Sequence, residues 1–302
     1  MKTYLSLFAF ALLCTLTSCD KNEEIMLVSS KNALTGSGSF TFTGYAPFAD
    51  KSIEVYYHIP ENADINSPIL ITLHGDDRSG AYSRNAFIEK ANLLNFIVLS
   101  PQFSEDDFPG GDAYNLCNIF YDGDNPTPAS LNDQSLWTFM VFDPIFDYFK
   151  ELTGNNATKY DLFGFSAGAQ VAHRLLIFNP NAKLNRIVAA SAGWYTVPND
   201  VIFPYGLFVS PAETADLTPV FNAQLKIIVG SNDNDPDSPG LRHNEFADAQ
   251  GLTRLDRAQY FYNAGFNEAQ AAGIQFNWTY QSVNGASHDL LPMASFAADL
   301  LY

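Results

Sequence analysis

Three short, mainly apolar runs constrain the fold of this chain more than any other feature of its sequence. They cover residues 68–73, 96–100 and 225–229, and they lack the regular alternation of polar and apolar residues that a half-exposed strand shows. A strand has this pattern when both faces of its sheet are covered. Segments with helical periodicity follow, for example at residues 83–94 and 255–272. Strands that alternate with helices predict an α/β fold, with a mostly parallel central sheet and helices on both faces.

The rest of the pattern fits one domain over residues 39–302. Two early segments, 39–45 and 52–59, alternate polar with apolar or aromatic residues, as half-buried antiparallel strands do. Further strands are expected at 160–163, 186–192 and 276–283, and helices at 132–152, 167–178 and 290–301. Pro144 should kink or interrupt the helix at 132–152.

Composition excludes several classes of protein. Of the 302 residues 47% are hydrophobic and only 16% are charged, which disfavours a disordered chain or a coiled coil. The net charge of −17 would repel a phosphate backbone, and no run rich in lysine or arginine offsets it. Nucleic acid is therefore not expected as a partner.

The first 38 residues predict export. A basic start and a short apolar run at residues 4–16 precede polar sequence, which is typical of a secretory signal and not of a membrane span. Leu-Thr-Ser-Cys at residues 16–19 resembles the bacterial lipobox, whose cysteine is acylated and becomes the new N-terminus. We therefore expect a signal peptide at 1–18, a lipid anchor on Cys19, a polar tether at 19–38 and a location in the cell envelope. The alternative is an ordinary signal peptide that contains a cysteine.

Cysteine usage fits a domain without disulfides. Cys14 would leave with the signal peptide and Cys19 would carry lipid, so Cys117 would have no partner in the mature chain. We expect Cys117 to be a small buried apolar residue and not a reactive thiol.

Gly164-Phe165-Ser166-Ala167-Gly168 lies between a predicted strand and a predicted helix. A Gly-x-Ser-x-Gly motif in this context is typical of a nucleophile elbow, a tight turn in which glycines avoid side-chain clashes. The turn would present Ser166 at the edge of the sheet, and the backbone N–H of Ala167 would face a developing oxyanion. The alternative is an ordinary helix N-cap serine.

A serine hydroxyl needs a base, and the chain offers five histidines: His58, His74, His173, His243 and His288. His288 follows the last predicted strand and precedes the terminal helix, which gives the chain order Ser, Asp, His. An exposed loop histidine without a catalytic role is the alternative.

The acid is expected in the loop after the strand at 225–229, which contains Asp233, Asp235 and Asp237. Asp233 comes soonest after the strand and is preferred, with Asp235 as the substitute. Turn chemistry explains the spare carboxylates better than a calcium site does.

Two further features complete the predicted site. Leu73-His74-Gly75-Asp76 follows the first buried strand, so the backbone N–H of Asp76 is expected as the second oxyanion donor and His74 as a structural hydrogen bonder. Long segments at 101–131 and 193–222 are expected to form the substrate pocket, with Tyr114, Trp194 and Tyr195 among its walls.

From about residue 52 to its end, the chain resembles the α/β-hydrolase superfamily. The His74-Gly75 motif, the elbow and the order of Ser166, Asp233 and His288 carry the resemblance. The similar branches are bacterial polyhydroxybutyrate depolymerases, feruloyl esterases and dienelactone hydrolases. The resemblance implies hydrolysis of a small or polymeric carboxylic ester through an acyl-enzyme, without a metal or organic cofactor.

Two other functions remain open from the sequence. A peptidase on the same fold would use the same chemistry. A catalytically silent surface protein that binds glycan or polymer would keep the fold without needing serine, histidine and acid together.

Overall fold

The computed structural model describes residues 34–302, so the predicted signal peptide, Cys19 and most of the predicted tether lie outside the described residues. One eight-stranded sheet organises this part of the chain. Its strands are β1 (Gly36–Phe42), β2 (Ile53–Ile59), β3 (Ile69–Leu73), β4 (Ile97–Gln102), β5 (Tyr160–Phe165), β6 (Leu184–Ala190), β7 (Gln224–Gly230) and β8 (Thr279–Val283). The sheet order is β1-β2-β4-β3-β5-β6-β7-β8.

Only the β1 edge of the sheet is antiparallel. β1 pairs with β2, and β2 pairs with β4, in antiparallel register. From β4 to β8 every neighbouring pair is parallel. The predicted α/β fold with a mostly parallel sheet is therefore confirmed, and the alternating pattern of the two early strands marks its antiparallel edge.

Nine helices accompany the sheet in the described part of the chain. They are α1 (Gly80–Asn85), α2 (Ile88–Leu94), α3 (Gly110–Ala113), α4 (Phe142–Thr153), α5 (Ala167–Phe178), α6 (Thr218–Asn222), α7 (Glu245–Ala249), α8 (Arg254–Ala272) and α9 (Leu290–Leu301). No helix among residues 34–302 is long and apolar enough to cross a membrane.

The core lies on both faces of the sheet. In β3, Ile69 and Ile71 belong to one buried cluster and Leu70 to the other, and the exposed fraction of each side chain is 1% or less. Burial of alternate residues on opposite faces explains why this strand reads as a continuous apolar run. All twelve residues of α5 are buried, so the helix that follows Ser166 is held on all sides.

Several boundaries differ from those predicted. β1 begins at Gly36, within the segment predicted as tether, and the single helix predicted at 83–94 is the pair α1 and α2. The helix predicted at 132–152 was wrong in its first half, where short 3-10 turns precede α4. Pro144 is the third residue of α4, and in a first turn its missing N–H costs no intrahelical bond.

Candidate active site

Ser166 occupies the turn between β5 and α5. Its backbone has φ 54° and ψ −114°, a region that residues other than glycine rarely adopt. Such strain persists only where the surroundings impose it, and it is concentrated at functional sites. The buried strand before Ser166 and the buried helix after it supply that constraint.

The two motif glycines make the turn possible. A Cβ added to Gly164 would lie 2.1 Å from the carbonyl oxygen of Gly168, and one added to Gly168 would lie 2.4 Å from the carbonyl oxygen of Leu73. Both distances are far below van der Waals contact. The expectation that side chains would clash at these positions is confirmed.

His288 lies beside the serine hydroxyl. Its Nε2 is 3.1 Å from Ser166 Oγ, at a sequence separation of 122 residues. The imidazole sits in the loop between β8 and α9, tilted against the Phe165 ring at 4.8 Å between centroids. In this arrangement the hydroxyl of Ser166 donates to Nε2, so the serine proton already points at a base.

Asp233 is the acid that reaches His288. Nδ1 of His288 donates to Asp233 Oδ2 at 2.9 Å, and the carboxylate is 4% exposed. Asp235, the substitute, is exposed and accepts from the backbone N–H of Asp237. Backbone hydrogen bonds hold the acid loop against the histidine loop, including one from Asn232 N to Ala286 O at 2.9 Å.

Arg254 contacts the acid and was missed by the sequence analysis. Its Nη1 lies 3.5 Å from Asp233 Oδ1 and donates to Ser238 Oγ at 2.7 Å. The arginine is only 3% exposed and is the first residue of α8. The Asp233 carboxylate is therefore shared between a histidine at one oxygen and a buried guanidinium at the other.

His74 is structural, as expected. Its Nδ1 donates to Gly75 O at 2.9 Å, and its Nε2 accepts from the Phe103 N–H at 3.0 Å, an arrangement that requires the neutral ring. Burial lowers the pKa of His74 from 6.5 to about 4, because the charged ring would be cut off from water.

The other three histidines also have partners away from Ser166. His173 hydrogen bonds to Ala169 O and to the Thr196 N–H, and burial lowers its pKa well below the usual value. The ring of His58 contacts Ser37 and Asn92, and that of His243 contacts Asp248 and Pro236. Among the five histidines, only His288 bonds to the elbow serine.

The two residues predicted to supply oxyanion donors line the same cavity as Ser166. Ala167 is the first residue of α5, and Asp76 follows β3 with an exposed side chain. Within residues 34–302 neither backbone N–H has a hydrogen-bond acceptor. Two unused donors beside a serine hydroxyl could stabilise negative charge on a carbonyl oxygen bound there.

The cavity has a volume of about 570 Å³. It is lined by His74, Gly75, Asp76, Asp77, Ser79, Tyr82, Ser83, Gly111, Asn115, Phe165, Ser166, Ala167, Gln170, Gly193, Trp194, Pro239, Gly240, Arg242, Arg254, His288, Asp289 and Leu290. Side chains that could hold a metal do not gather in threes anywhere in the described part of the chain.

Of the three predicted pocket residues, Trp194 lines the cavity, whereas Tyr114 and Tyr195 do not. Tyr114 is fully buried, stacks on His74 at 4.6 Å and donates its hydroxyl to His74 O. Tyr195 is also fully buried and stacks on Phe261 at 4.4 Å. Both rings pack beneath the residues that line the cavity. A long loop stays ordered when it buries aromatic residues of its own in this way.

Cys117 is free and buried, as predicted. Burial raises the pKa of its thiol to about 12. Arg242, like Arg254, was missed as a cavity residue because neither belongs to a motif and each reaches the cavity through tertiary contacts.

Comparison with solved structures finds similar chains. Poly(aspartic acid) hydrolase-1 from Sphingomonas sp. KT-1 is 34% identical, with a TM-score of 0.80 over 88% of this chain and 98% of its own. A poly(3-hydroxybutyrate) depolymerase from Bordetella parapertussis is 27% identical, with a TM-score of 0.82 over 89% of this chain and 90% of its own.

A more distant match shares the fold alone. An S-formylglutathione hydrolase from Agrobacterium tumefaciens is 14% identical, with a TM-score of 0.53 over 89% of this chain and 95% of its own. No protein-family model matches the chain, and no curated protein matches it significantly.

Proposed function

Because this chain belongs to the α/β-hydrolase superfamily of serine hydrolases, we propose that it hydrolyses carboxylic esters with Ser166, His288 and Asp233 as a catalytic triad. One observation carries the proposal: hydrogen bonds of 3.1 Å and 2.9 Å join the three side chains in series, and Ser166 opens onto a cavity. These distances and the burial of Asp233 support the roles of nucleophile, base and orienting acid.

The reaction follows from this geometry. Ser166 Oγ attacks the ester carbonyl while His288 Nε2 takes the hydroxyl proton, and Asp233 holds the ring and offsets the charge of the imidazolium. The N–H groups of Ala167 and Asp76 stabilise the oxyanion. His288 then gives its proton to the leaving alcohol, and in the second half it activates the water that releases the acid.

The exposed Asp76 carboxylate has to point away from the oxyanion for this scheme to work. Asp76 lines the cavity and is exposed to solvent, so water screens the charge of its carboxylate.

The test is hydrolysis of short and medium 4-nitrophenyl esters by a soluble form that begins near Lys21. Ser166→Ala and His288→Ala should each abolish most turnover while circular dichroism and thermal unfolding remain those of a folded protein. A serine-directed phosphonate should label Ser166 in the unsubstituted protein and not in Ser166→Ala. Turnover that survives both substitutions, or a folded protein with neither turnover nor label, would refute the proposal.

Amide hydrolysis is the second candidate, and the 34% identity to a poly(aspartic acid) hydrolase favours it. Poly(aspartic acid) is joined by amide bonds, and a serine triad can cleave esters and amides alike. A phosphonate adduct without ester turnover, together with cleavage of acidic peptides, would support amide hydrolysis. A silent glycan- or polymer-binding protein would give neither adduct nor turnover.

We propose further that Cys19 is lipidated and holds the protein in the bacterial cell envelope, with the outer-membrane surface as one location. The lipobox-like sequence at residues 16–19 supports this. Radiolabelled palmitate should enter the expressed chain and should be absent from Cys19→Ala, which should also leave the membrane fraction. Equal labelling of both chains would refute the anchor.

A further inference from the structure

Trp194 contacts two arginines at the wall of the cavity. The Arg174 Cζ atom is 4.5 Å from the indole ring centroid, and the Arg242 Cζ atom is 5.0 Å from it. Trp194 and Arg242 both line the cavity that contains Ser166, whereas Arg174 is fully buried behind them. The cation–π contact with the indole ring helps to hold the Arg242 guanidinium at the cavity wall.

Arg242 has hydrogen-bond donors to spare. Its Nη1 and Nη2 bind the two carboxylate oxygens of Asp124 at 2.5 and 3.2 Å, and Nη1 also donates to the Tyr205 hydroxyl at 3.1 Å. A guanidinium has five N–H groups, and the hydrogen bonds of Arg242 within the described residues use two on Nη1 and one on Nη2, which leaves Nε–H and the second Nη2–H. These two lie on one edge of the group, which is the edge that binds a second carboxylate through two parallel hydrogen bonds.

Three arginines, Arg174, Arg242 and Arg254, lie in or behind this wall of the cavity. Arg242 pairs with Asp124 and Arg254 pairs with Asp233, but Arg174 pairs with no carboxylate within residues 34–302. Arg174 instead bonds to Thr196 Oγ1 and Asn115 O, and its buried Nη2 has no partner among the described residues.

Arg174 is therefore a buried arginine without a paired carboxylate among the described residues, in a chain whose net charge is −17. A buried, unpaired cation is weakly screened and favours an anion in the neighbouring cavity. The carboxylates that line the cavity itself come from other segments, Asp76 and Asp77 after β3 and Asp289 before α9.

We propose that Trp194 and Arg242 form a subsite for a carboxylate carried by the substrate, so that the enzyme acts on acyl compounds with a second, free acid group. Planar bidentate pairing with the open edge of Arg242 selects a carboxylate, and Arg174 behind Trp194 supplies the background charge. The inference rests on the proposed function, since the same cavity holds Ser166.

Two pairs of esters test the subsite. The first pair is the mono-4-nitrophenyl ester of adipate with its second acid free, and the same ester with that acid methylated. The second pair is the butyrate ester of 4-hydroxybenzoate and the butyrate ester of methyl 4-hydroxybenzoate, which place the charge on the leaving group. The readout is the ratio of kcat/KM for the charged member to that for the neutral member.

Arg242→Gln should lower this ratio roughly tenfold in at least one pair, the factor expected from losing charged hydrogen bonds at a partly exposed site. Asp124→Asn separates binding of the substrate carboxylate from a structural role of the ion pair. It breaks the same ion pair but leaves the Arg242 charge in place, so it should keep or raise the ratio. Lys90→Gln removes an equal charge from a surface pair with Asp299 and should leave the ratio unchanged.

The ratio in the unsubstituted protein should also fall as salt is raised. A ratio that Arg242→Gln leaves unchanged in both pairs would overturn the subsite while ester hydrolysis still stood. The subsite would also be overturned if Asp124→Asn lowered the ratio as much as Arg242→Gln does, because the role of Arg242 would then be only to hold two loops together.

Equilibrium binding keeps the subsite testable if the proposed function fails. Calorimetry of the same esters with Ser166→Ala needs no turnover. Tighter binding of the charged members that is lost in Ser166→Ala/Arg242→Gln would support the subsite, and equal binding in both proteins would overturn it.

Discussion

Replacing Ser166 by glycine should leave the chain more stable than replacing it by alanine, the reverse of the usual order. The comparison removes the hydroxyl in both variants, so hydrogen bonding to His288 is lost equally. What differs is a Cβ at φ 54° and ψ −114°, where glycine is unstrained and alanine is not.

The magnitude follows from two opposing effects. Strain at such a backbone position costs about 1–3 kcal/mol. Glycine loses more conformational entropy on folding than alanine, which costs about 0.5–1 kcal/mol. The glycine variant should therefore have the larger free energy of unfolding, by about 1 kcal/mol.

Urea unfolding of both variants at one pH, with equal m-values, measures this difference. Ala271→Gly is the matched control, because Ala271 is exposed on helix α8 and its substitution should cost about 0.5–1 kcal/mol. An alanine variant as stable as the glycine variant, or more stable, would show that the elbow stores no strain and would refute the reasoning.

Three further predictions concern residues in and around the proposed triad. Asp233→Asn should lower kcat about 10⁴-fold, because the imidazole then takes the wrong tautomer, as the equivalent substitution does in serine proteases. Asp235→Asn should change kcat less than twofold. Equal losses of kcat in steady-state assays of the two variants would refute the assignment of the acid. Arg254→Met should lower the free energy of unfolding by about 3 kcal/mol, because it leaves the buried Asp233 carboxylate without its cation. Denaturant unfolding measures this loss, and the Arg254→Lys variant shows whether a positive charge at this position restores part of it. The pKa of His74 is about 4 in the folded chain and 6.5 in the unfolded chain, so between these pH values only the unfolded chain binds the extra proton. The free energy of unfolding should therefore fall by about 3 kcal/mol as the pH drops from 6.5 to 4. A His74→Asn variant with an equally steep pH dependence would exclude His74 as the cause.

Local sequence was enough to single out Ser166 and His288, whose side chains the structure brings to 3.1 Å from each other. Gly164 and Gly168 mark the elbow because no side chain fits there, a constraint that acts within five residues of chain. His288 could be selected among five histidines because the order of elements in a parallel sheet brings the end of β8 to the edge where β5 ends.

The choice of acid needed burial and distance. Asp233 and Asp235 stand two residues apart in one polar loop, and nothing in their sequence context separates them decisively. The fold buries the first against His288 and exposes the second. The positions of aromatic residues could not be predicted for a similar reason. Tyr114 and Tyr195 are of a residue type that often lines pockets, but their side chains are packed in the core.

The sequence by itself therefore determined the sheet, the elbow serine and the histidine, because periodicity, turn chemistry and chain order are written in neighbouring residues. Only the tertiary structure decided the charged side of the cavity. Arg242 meets Asp124 across 118 residues of chain, and Arg254 meets Asp233 across 21. Neither pairing leaves a periodic or motif signal, because each is set by how loops pack over the sheet and not by the chemistry of adjacent residues.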